Sequence, residues 1–433
     1  MHRIHGYRIS CHSKKNSMTQ HGRLLLTLMA TLLDLLLCRK TILISSDGFR
    51  WDYYGRYKTP GLDRLRKQGV QVKNLENAFA TVTFPNHYTL VTGLYEESHG
   101  IVDNDMFDPV FNESFHMNTV DPKWWQGGEP IWVTANKSDI GSVCVNWVGC
   151  SIPVQGVRPT FWEPYNGSLT YSDRIHKVLD ALFMVNDTGV DLGLLYFEEP
   201  DHSCHMHGPD SREVENAIEA VDAAIMALLD QVDLSEVNII FTADHGGYQV
   251  SQEKLIVIDE YIEDLAYFVS ADGAVAHLWS QEESFVDRAL FMLSRIPIEK
   301  GRCHRKQDVP ENLHYSNNRR IAPVVCVAEL GWSIVQSQEE ARNFALRGSH
   351  GWDARGDPHS PMRPVFIAAG PDFIQSDRIV DPFPNVNVYP LVHHVLGMTH
   401  ENLPDINGTI EEVRHILKGS KDNILDPYVV VQW

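Results

Sequence analysis

Between Thr41 and about Met398, short apolar runs alternate with stretches of helical spacing. TILIS (Thr41–Ser45), DLGLLYF (Asp191–Phe197), VNIIFT (Val237–Thr242) and PVFIAA (Pro364–Ala369) are nearly unbroken apolar segments. Such runs predict strands covered on both faces. Val214, Ile218, Val221, Ile225 and Leu228 recur at helical spacing with charges between them, so a helix with one buried stripe is expected to begin at Pro209. Thr59-Pro60 supplies a cap and a first-turn proline for an earlier helix, which Gly69 would close. Strands alternating with helices predict an α/β fold with a mostly parallel central sheet flanked by helices on both faces. No repeat or linker divides this stretch. The expected organisation is an N-terminal segment over 1–38, a principal domain over 39–400, and a tail over 401–433 that packs on it.

The leading segment carries Arg3, Arg8, Lys14, Lys15 and Arg23, then LLLTLMATLLDLLLC from Leu24 to Cys38. A basic stretch before an apolar run shorter than the ~20 residues of a spanning helix reads as a secretory signal. A buried core helix and an interfacial anchor are the competing readings. Five sequons accord with secretion: Asn112-Glu-Ser, Asn136-Lys-Ser, Asn166-Gly-Ser, Asn186-Asp-Thr and Asn407-Gly-Thr. No later apolar run reaches spanning length, so a secreted, soluble, monomeric glycoprotein is expected. With Cys11 and Cys38 assigned to the signal, Cys144 with Cys150 and Cys303 with Cys326 are the preferred pairs. Cys204 is then left as a free thiol.

Charge narrows the function. With 37 Lys and Arg against 57 Asp and Glu, the net charge is −20, and no basic stripe occurs beyond the N-terminus. Nucleic-acid polymers and anionic lipid surfaces are excluded as partners on that balance. The 21 histidines point toward metal instead. Three strands run directly into acidic residues: Asp47 after TILIS, Glu198-Glu199-Pro200-Asp201 after DLGLLYF, and Asp244 after VNIIFT. Ligands of open α/β sheets bind beyond the carboxyl ends of the strands. Carboxylates gathered there repel one another, and a bound cation is the simplest compensation.

A lone aspartate after a strand is ordinarily a cap or turn residue. Here Asp201 precedes His205 by four positions, Asp244 adjoins His245, and His350 sits between glycines in GSHG. Mixed Asp/His sets suit Zn²⁺. His202 and His207 flank the same loop, as bystanders or as competing ligands. Thr83 opens a further helical stretch, where free N–H groups and the positive dipole end favour an alkoxide or a phosphate. Metal coordination would activate that hydroxyl as a nucleophile. On residue chemistry alone, a capping role for Thr83 is the stronger reading.

SSDGFRWDY, TFPNHYTLVTGLYEESHGIVDNDMFDP, GGEPIWVTA, EEPDHSCHMHGP, TADHGG and GSHGWD stand in the order and spacing of the ectonucleotide pyrophosphatase/phosphodiesterase family. The chain resembles that family, part of the alkaline phosphatase superfamily, from Thr41 to about Trp433, and is most similar to its short members with a single catalytic domain. The resemblance implies an alkaline-phosphatase-like core and two Zn²⁺ per chain. Asp201, His205 and His350 would hold one, and Asp47, Asp244 and His245 the other, with Thr83 as the nucleophile bridging toward the second. Asn104 would bind a phosphate oxygen together with the backbone N–H of Phe84. Phe84 and Tyr165 would sandwich a nucleobase, and Tyr196 would line the same pocket.

The implied reaction is hydrolysis of nucleotide phosphodiester and pyrophosphate bonds through a threonine-bound nucleotidyl intermediate, releasing a nucleoside 5′-monophosphate. Ala243 and Gly247 around the second metal motif, Cys204 in place of a usual glycine, Val148 within the Trp147–Gly149 segment, and Ala354 after GSHGWD depart from the family pattern. Two rivals remain: a choline- or lysophospholipid-directed phosphodiesterase of the same superfamily, and a secreted binding glycoprotein without turnover. Retention of six candidate ligands and Thr83 argues against the second.

Overall fold

The structure, a computed structural model, describes residues 40–184, 189–270 and 273–419. The expected signal segment, Cys11, Cys38 and the sequon at Asn186 lie outside the described residues. From Lys40 onward the chain builds an eight-stranded sheet. Its strands are β1 (Lys40–Ser46), β2 (Gly69–Val72), β3 (Gly141–Val145), β4 (Phe161–Glu163), β5 (Val190–Phe197), β6 (Val237–Thr242), β7 (Phe366–Ala369) and β8 (Ile379–Val380). They lie in the order β8-β2-β7-β6-β1-β5-β3-β4. All run the same way except β7, which is antiparallel to both neighbours.

The apolar runs are unbroken because both faces of the sheet are covered. Leu43, Leu194 and Ile240 pack into one core with Tyr88 and Val91 of the helix Thr83–Thr92. Ile42, Ile44, Leu195 and Phe241 pack into another. There they meet Ile175 and Val178 of helix Tyr171–Leu182 and Ile218 and Val221 of helix Arg212–Leu229. The helix expected from Pro209 starts at Arg212, with the Ser211 hydroxyl accepting the Val214 N–H at 3.2 Å. All five stripe residues are buried.

Helix Pro60–Lys67 is not capped by Thr59. Asp222, on the neighbouring helix, accepts the Gly61 and Leu62 N–H groups at 2.8 Å each. Nor does Gly69 close that helix: it opens β2, where a Cβ would come within 2.0 Å of the Ala368 carbonyl oxygen. Close strand pairing, rather than a left-handed turn, requires glycine there.

A second sheet of four strands, not located from the sequence, is formed by Phe268–Val269, Val275–Trp279, Val324–Ala328 and Gly301–Arg305. Cys303 and Cys326 face each other across two of its strands and are disulfide-bonded, as are Cys144 and Cys150. Residues 401–419 contribute Val413, Ile416 and Leu417 to the core beside helix Thr83–Thr92. Among the described residues, no helix is long and apolar enough to cross a membrane.

Candidate metal centre

Strands β6, β1 and β5 are neighbours, so the acidic residues beyond their carboxyl ends converge. Asp47 follows β1 directly, and the Asp201 N–H donates to its carbonyl at 3.0 Å. Gly48 makes this crossing possible. Its φ is +68°, and a Cβ would stand 2.9 Å from that of Asp201. The loop bearing His350 reaches the same edge through Thr81. The Thr81 hydroxyl accepts the Gly351 N–H at 3.0 Å and donates to the Trp352 carbonyl at 2.9 Å.

The carboxylates divide their oxygens. Asp47 accepts the Tyr196 hydroxyl on Oδ2 at 2.6 Å, while its buried Oδ1 has no hydrogen-bond partner. Asp244 accepts the Gly48 N–H on Oδ1 at 3.2 Å, and its buried Oδ2 is likewise unpartnered. A buried carboxylate oxygen without a donor is costly unless a cation faces it. Burial, then Asp244 and Asp201, pushes the Asp47 carboxyl well above the usual carboxylate range. Burial also opposes ionisation of Asp244, but His245 and His87 outweigh it and hold that carboxyl low.

The three histidines share a pattern. Nδ1 of His205, His245 and His350 lies 2.9, 2.8 and 3.0 Å from the carbonyls of Gly348, Gly246 and Thr81. A carbonyl accepts only, so each Nδ1 carries a hydrogen, and Nε2 is the atom each ring has left to offer a metal in its neutral form. Without a metal, burial opposes protonation, but Asp201 and Asp244 outweigh it and raise the pKa of His205 and His245 respectively. Those Nε2 atoms point at carboxylates: His205 lies 3.2 Å and His350 3.8 Å from Asp201, and His245 lies 3.1 Å from Asp244 and 3.4 Å from Asp47. Burial, then His245, lowers His350 to about 3. The donor set fits divalent metal. His245 falls between the two expected ligand groups: compact sets form from Asp201, His245 and His350, and from Asp47, His87 and Asp244.

Thr83 is the first residue of its helix, and Val82 occupies the cap position. Its hydroxyl caps nothing and instead lies 3.2 Å from His245 Nε2. The Phe84 N–H donates to Asn104 Oδ1 at 2.8 Å, which leaves the Asn104 amide NH₂ as a donor. Phe84 packs near Phe115 and Trp125, at 6.1 and 6.0 Å between ring centroids. Tyr165 is 61% exposed, with its ring 6.2 Å from that of Tyr196. Tyr196, expected only to line the base pocket, uses its hydroxyl to hold Asp47. His202 and His207 are exposed. Cys204 is buried against Gly247 and Gly348, and burial raises its pKa, so it remains a thiol.

The sequence reading missed His87. It is fully buried within 3.3 Å of Asp244. Its spacing of four from Thr83, which places both on one helix face, was the available signal.

A mostly parallel α/β sheet with acidic and imidazole groups gathered beyond its central strands defines a hydrolase of the alkaline-phosphatase-like class. The family model described as type I phosphodiesterase / nucleotide pyrophosphatase matches residues 41–353. Human ectonucleotide pyrophosphatase/phosphodiesterase family member 5 is 37% identical over 397 residues, spanning 90% of this chain and 80% of that one. The Xenopus laevis bis(5′-adenosyl)-triphosphatase is 35% identical, spanning 87% of this chain and 81% of that one. A murine family member 5 structure, an inactive threonine-to-alanine variant in complex with AMP, superposes with a TM-score of 0.80 at 34% identity. It covers 88% of this chain and 100% of that one. The chain belongs to the ectonucleotide pyrophosphatase/phosphodiesterase family.

Proposed function

We propose that the chain is a zinc-dependent, secreted nucleotide pyrophosphatase/phosphodiesterase that acts through a covalent intermediate on Thr83. Asp201, His205 and His350 would hold one Zn²⁺, and Asp47, Asp244 and His245 the other. The observation that carries this reading is the pair of orphaned buried oxygens, Asp47 Oδ1 and Asp244 Oδ2, beside a histidine whose Nε2 is 3.2 Å from the Thr83 hydroxyl. Bound there, two divalent cations would neutralise these carboxylates and favour the ionised form of a nearby hydroxyl.

The residues then divide the work. Thr83 Oγ1 attacks phosphorus in line with the leaving oxygen, forming a phosphothreonine-type nucleotidyl ester and expelling the leaving group. The Phe84 N–H and the Asn104 amide face the non-bridging phosphate oxygen, and substrate entry exchanges their mutual hydrogen bond for bonds to phosphate. Water opposite Thr83 cleaves the ester, restores the hydroxyl and releases a nucleoside 5′-monophosphate. Phe84 and Tyr165 hold the base by stacking. AMP in the murine relative supports a nucleoside 5′-monophosphate product, and the Xenopus laevis relative's name supports dinucleoside polyphosphate substrates.

The test is release of p-nitrophenol from its thymidine 5′-monophosphate ester, with and without chelator, followed by a panel of ATP, dinucleoside polyphosphates and NAD-type pyrophosphates. Chelator-sensitive release is expected. Silence on the ester and the panel would favour a binding glycoprotein, and turnover confined to choline phosphodiesters would favour the lipid-directed rival.

A further inference from the structure

We propose that His87 is a positioning residue that ties the backbone of the nucleophile to the metal-facing carboxylate of Asp244. The inference rests on the two-metal reading above. His87 lies one turn beyond Thr83 on helix Thr83–Thr92 and is fully buried. Its Nδ1 is 2.9 Å from the Thr83 carbonyl oxygen and 3.3 Å from Asp244 Oδ2. Both are acceptors, so Nδ1 carries the hydrogen, which is bonded to the Thr83 carbonyl, while its positive edge approaches Asp244 Oδ2 without a hydrogen bond to it. Nε2 lies 2.9 Å from the Ser45 hydroxyl on β1, two residues before Asp47.

The plane of the ring is fixed from two sides. Trp147 and Tyr196 stand edge-on to it, at 5.2 and 5.1 Å between centroids, and Tyr196 itself holds Asp47. One imidazole thus meets the nucleophile, one carboxylate of the cage, and the strand and tyrosine that present the other. Although His87 forms a compact set with Asp47 and Asp244, its two nitrogens are engaged elsewhere. A ligand histidine needs a free lone pair; His87 supports ligands instead. Partners that orient ligands are worth about 10- to 100-fold in metal affinity or activity.

Two amide substitutions separate its contacts, because the side-chain nitrogen of asparagine falls near the imidazole Nδ1 position and that of glutamine near Nε2. In the full chain, His87→Asn is expected to keep zinc affinity and kcat within about threefold of the unsubstituted protein. His87→Gln is expected to lose about 10- to 100-fold in both, with KM within about twofold. Zinc affinity is read by competition with a chromophoric chelator, and both variants should reach the unsubstituted stoichiometry at saturating zinc.

Equal losses in the two variants, as a purely structural role would produce, overturn the proposal. Loss of one zinc equivalent at saturation from both does so too, by making His87 a ligand. An unsubstituted chain without turnover defeats the hydrolase reading, and the chelator competition still decides His87.

Discussion

The imidazole rings of His245 and His350 stack 3.6 Å apart, with their planes 15° from parallel. Each is pinned at Nδ1 by a carbonyl, on Gly246 and Thr81 respectively, so the stack turns both Nε2 atoms toward the carboxylates beside it. Burial, and then repulsion from His245 at this separation, holds His350 near 3. The stack joins the loop after β6 to the loop bearing His350, which Thr81 in turn holds beside the nucleophile, so Thr83 lies close to both ligand groups.

Thr83→Ala should lower kcat by at least about 10³-fold, because it removes the attacking oxygen. Zinc content, measured by elemental analysis of the purified variant, should be close to that of the parent. Near-parental turnover would remove Thr83 from the mechanism.

Tyr196→Phe keeps the ring and deletes the hydroxyl that donates to Asp47 at 2.6 Å. Zinc affinity should fall about tenfold, as for other groups that orient a ligand. A tyrosine that only walls the base pocket would leave zinc affinity unchanged, so chelator competition separates the two roles.

Tyr165→Ala should raise KM for nucleotide esters roughly tenfold with kcat little changed, since base stacking is worth ~1–3 kcal/mol. Comparing a nucleotide ester with a p-nitrophenyl phosphodiester lacking a base checks this. An equal rise on both would mean that Tyr165 does not contact the base.

Acid stability should depend on Asp108. Its side chain is buried, and burial alone would raise its pKa. The Arg319 and Arg320 guanidiniums, with the N–H groups of Phe111 and Val110, overcome this and lower it to about 2. A folded pKa below the ordinary 3.8 means that the stabilisation is complete above about pH 4 and lost as the pH falls toward 2. Asp108→Ala should cost about 3–5 kcal/mol at neutral pH by leaving buried Arg320 unpaired. It should also flatten the acid limb of the unfolding curve, and denaturant titrations from pH 7 to pH 2 would show either effect or its absence.

By itself the sequence determined the positions of β1, β5, β6 and β7, because strands covered on both faces must be apolar along their whole length. It also determined that acidic residues follow three of these strands, and it carried the motif blocks that mark the family. The direction of β7 was decided only in three dimensions, since strand polarity leaves no trace in side-chain pattern. Asp222 capping helix Pro60–Lys67 in place of Thr59 is of the same kind: the acceptor comes from a distant helix. The small antiparallel sheet likewise depends on long-range pairing, although the Cys303–Cys326 bond across two of its strands is a pair the sequence had already led one to expect. His87 shows why the candidate site was only partly legible. In the linear chain it is one helical histidine among 21, whereas its contacts with Thr83, Asp244 and Ser45 exist only where the helix crosses the ends of β1 and β6. Residue type sets which atoms can bond a metal or a proton, while packing chooses which of their lone pairs remain free.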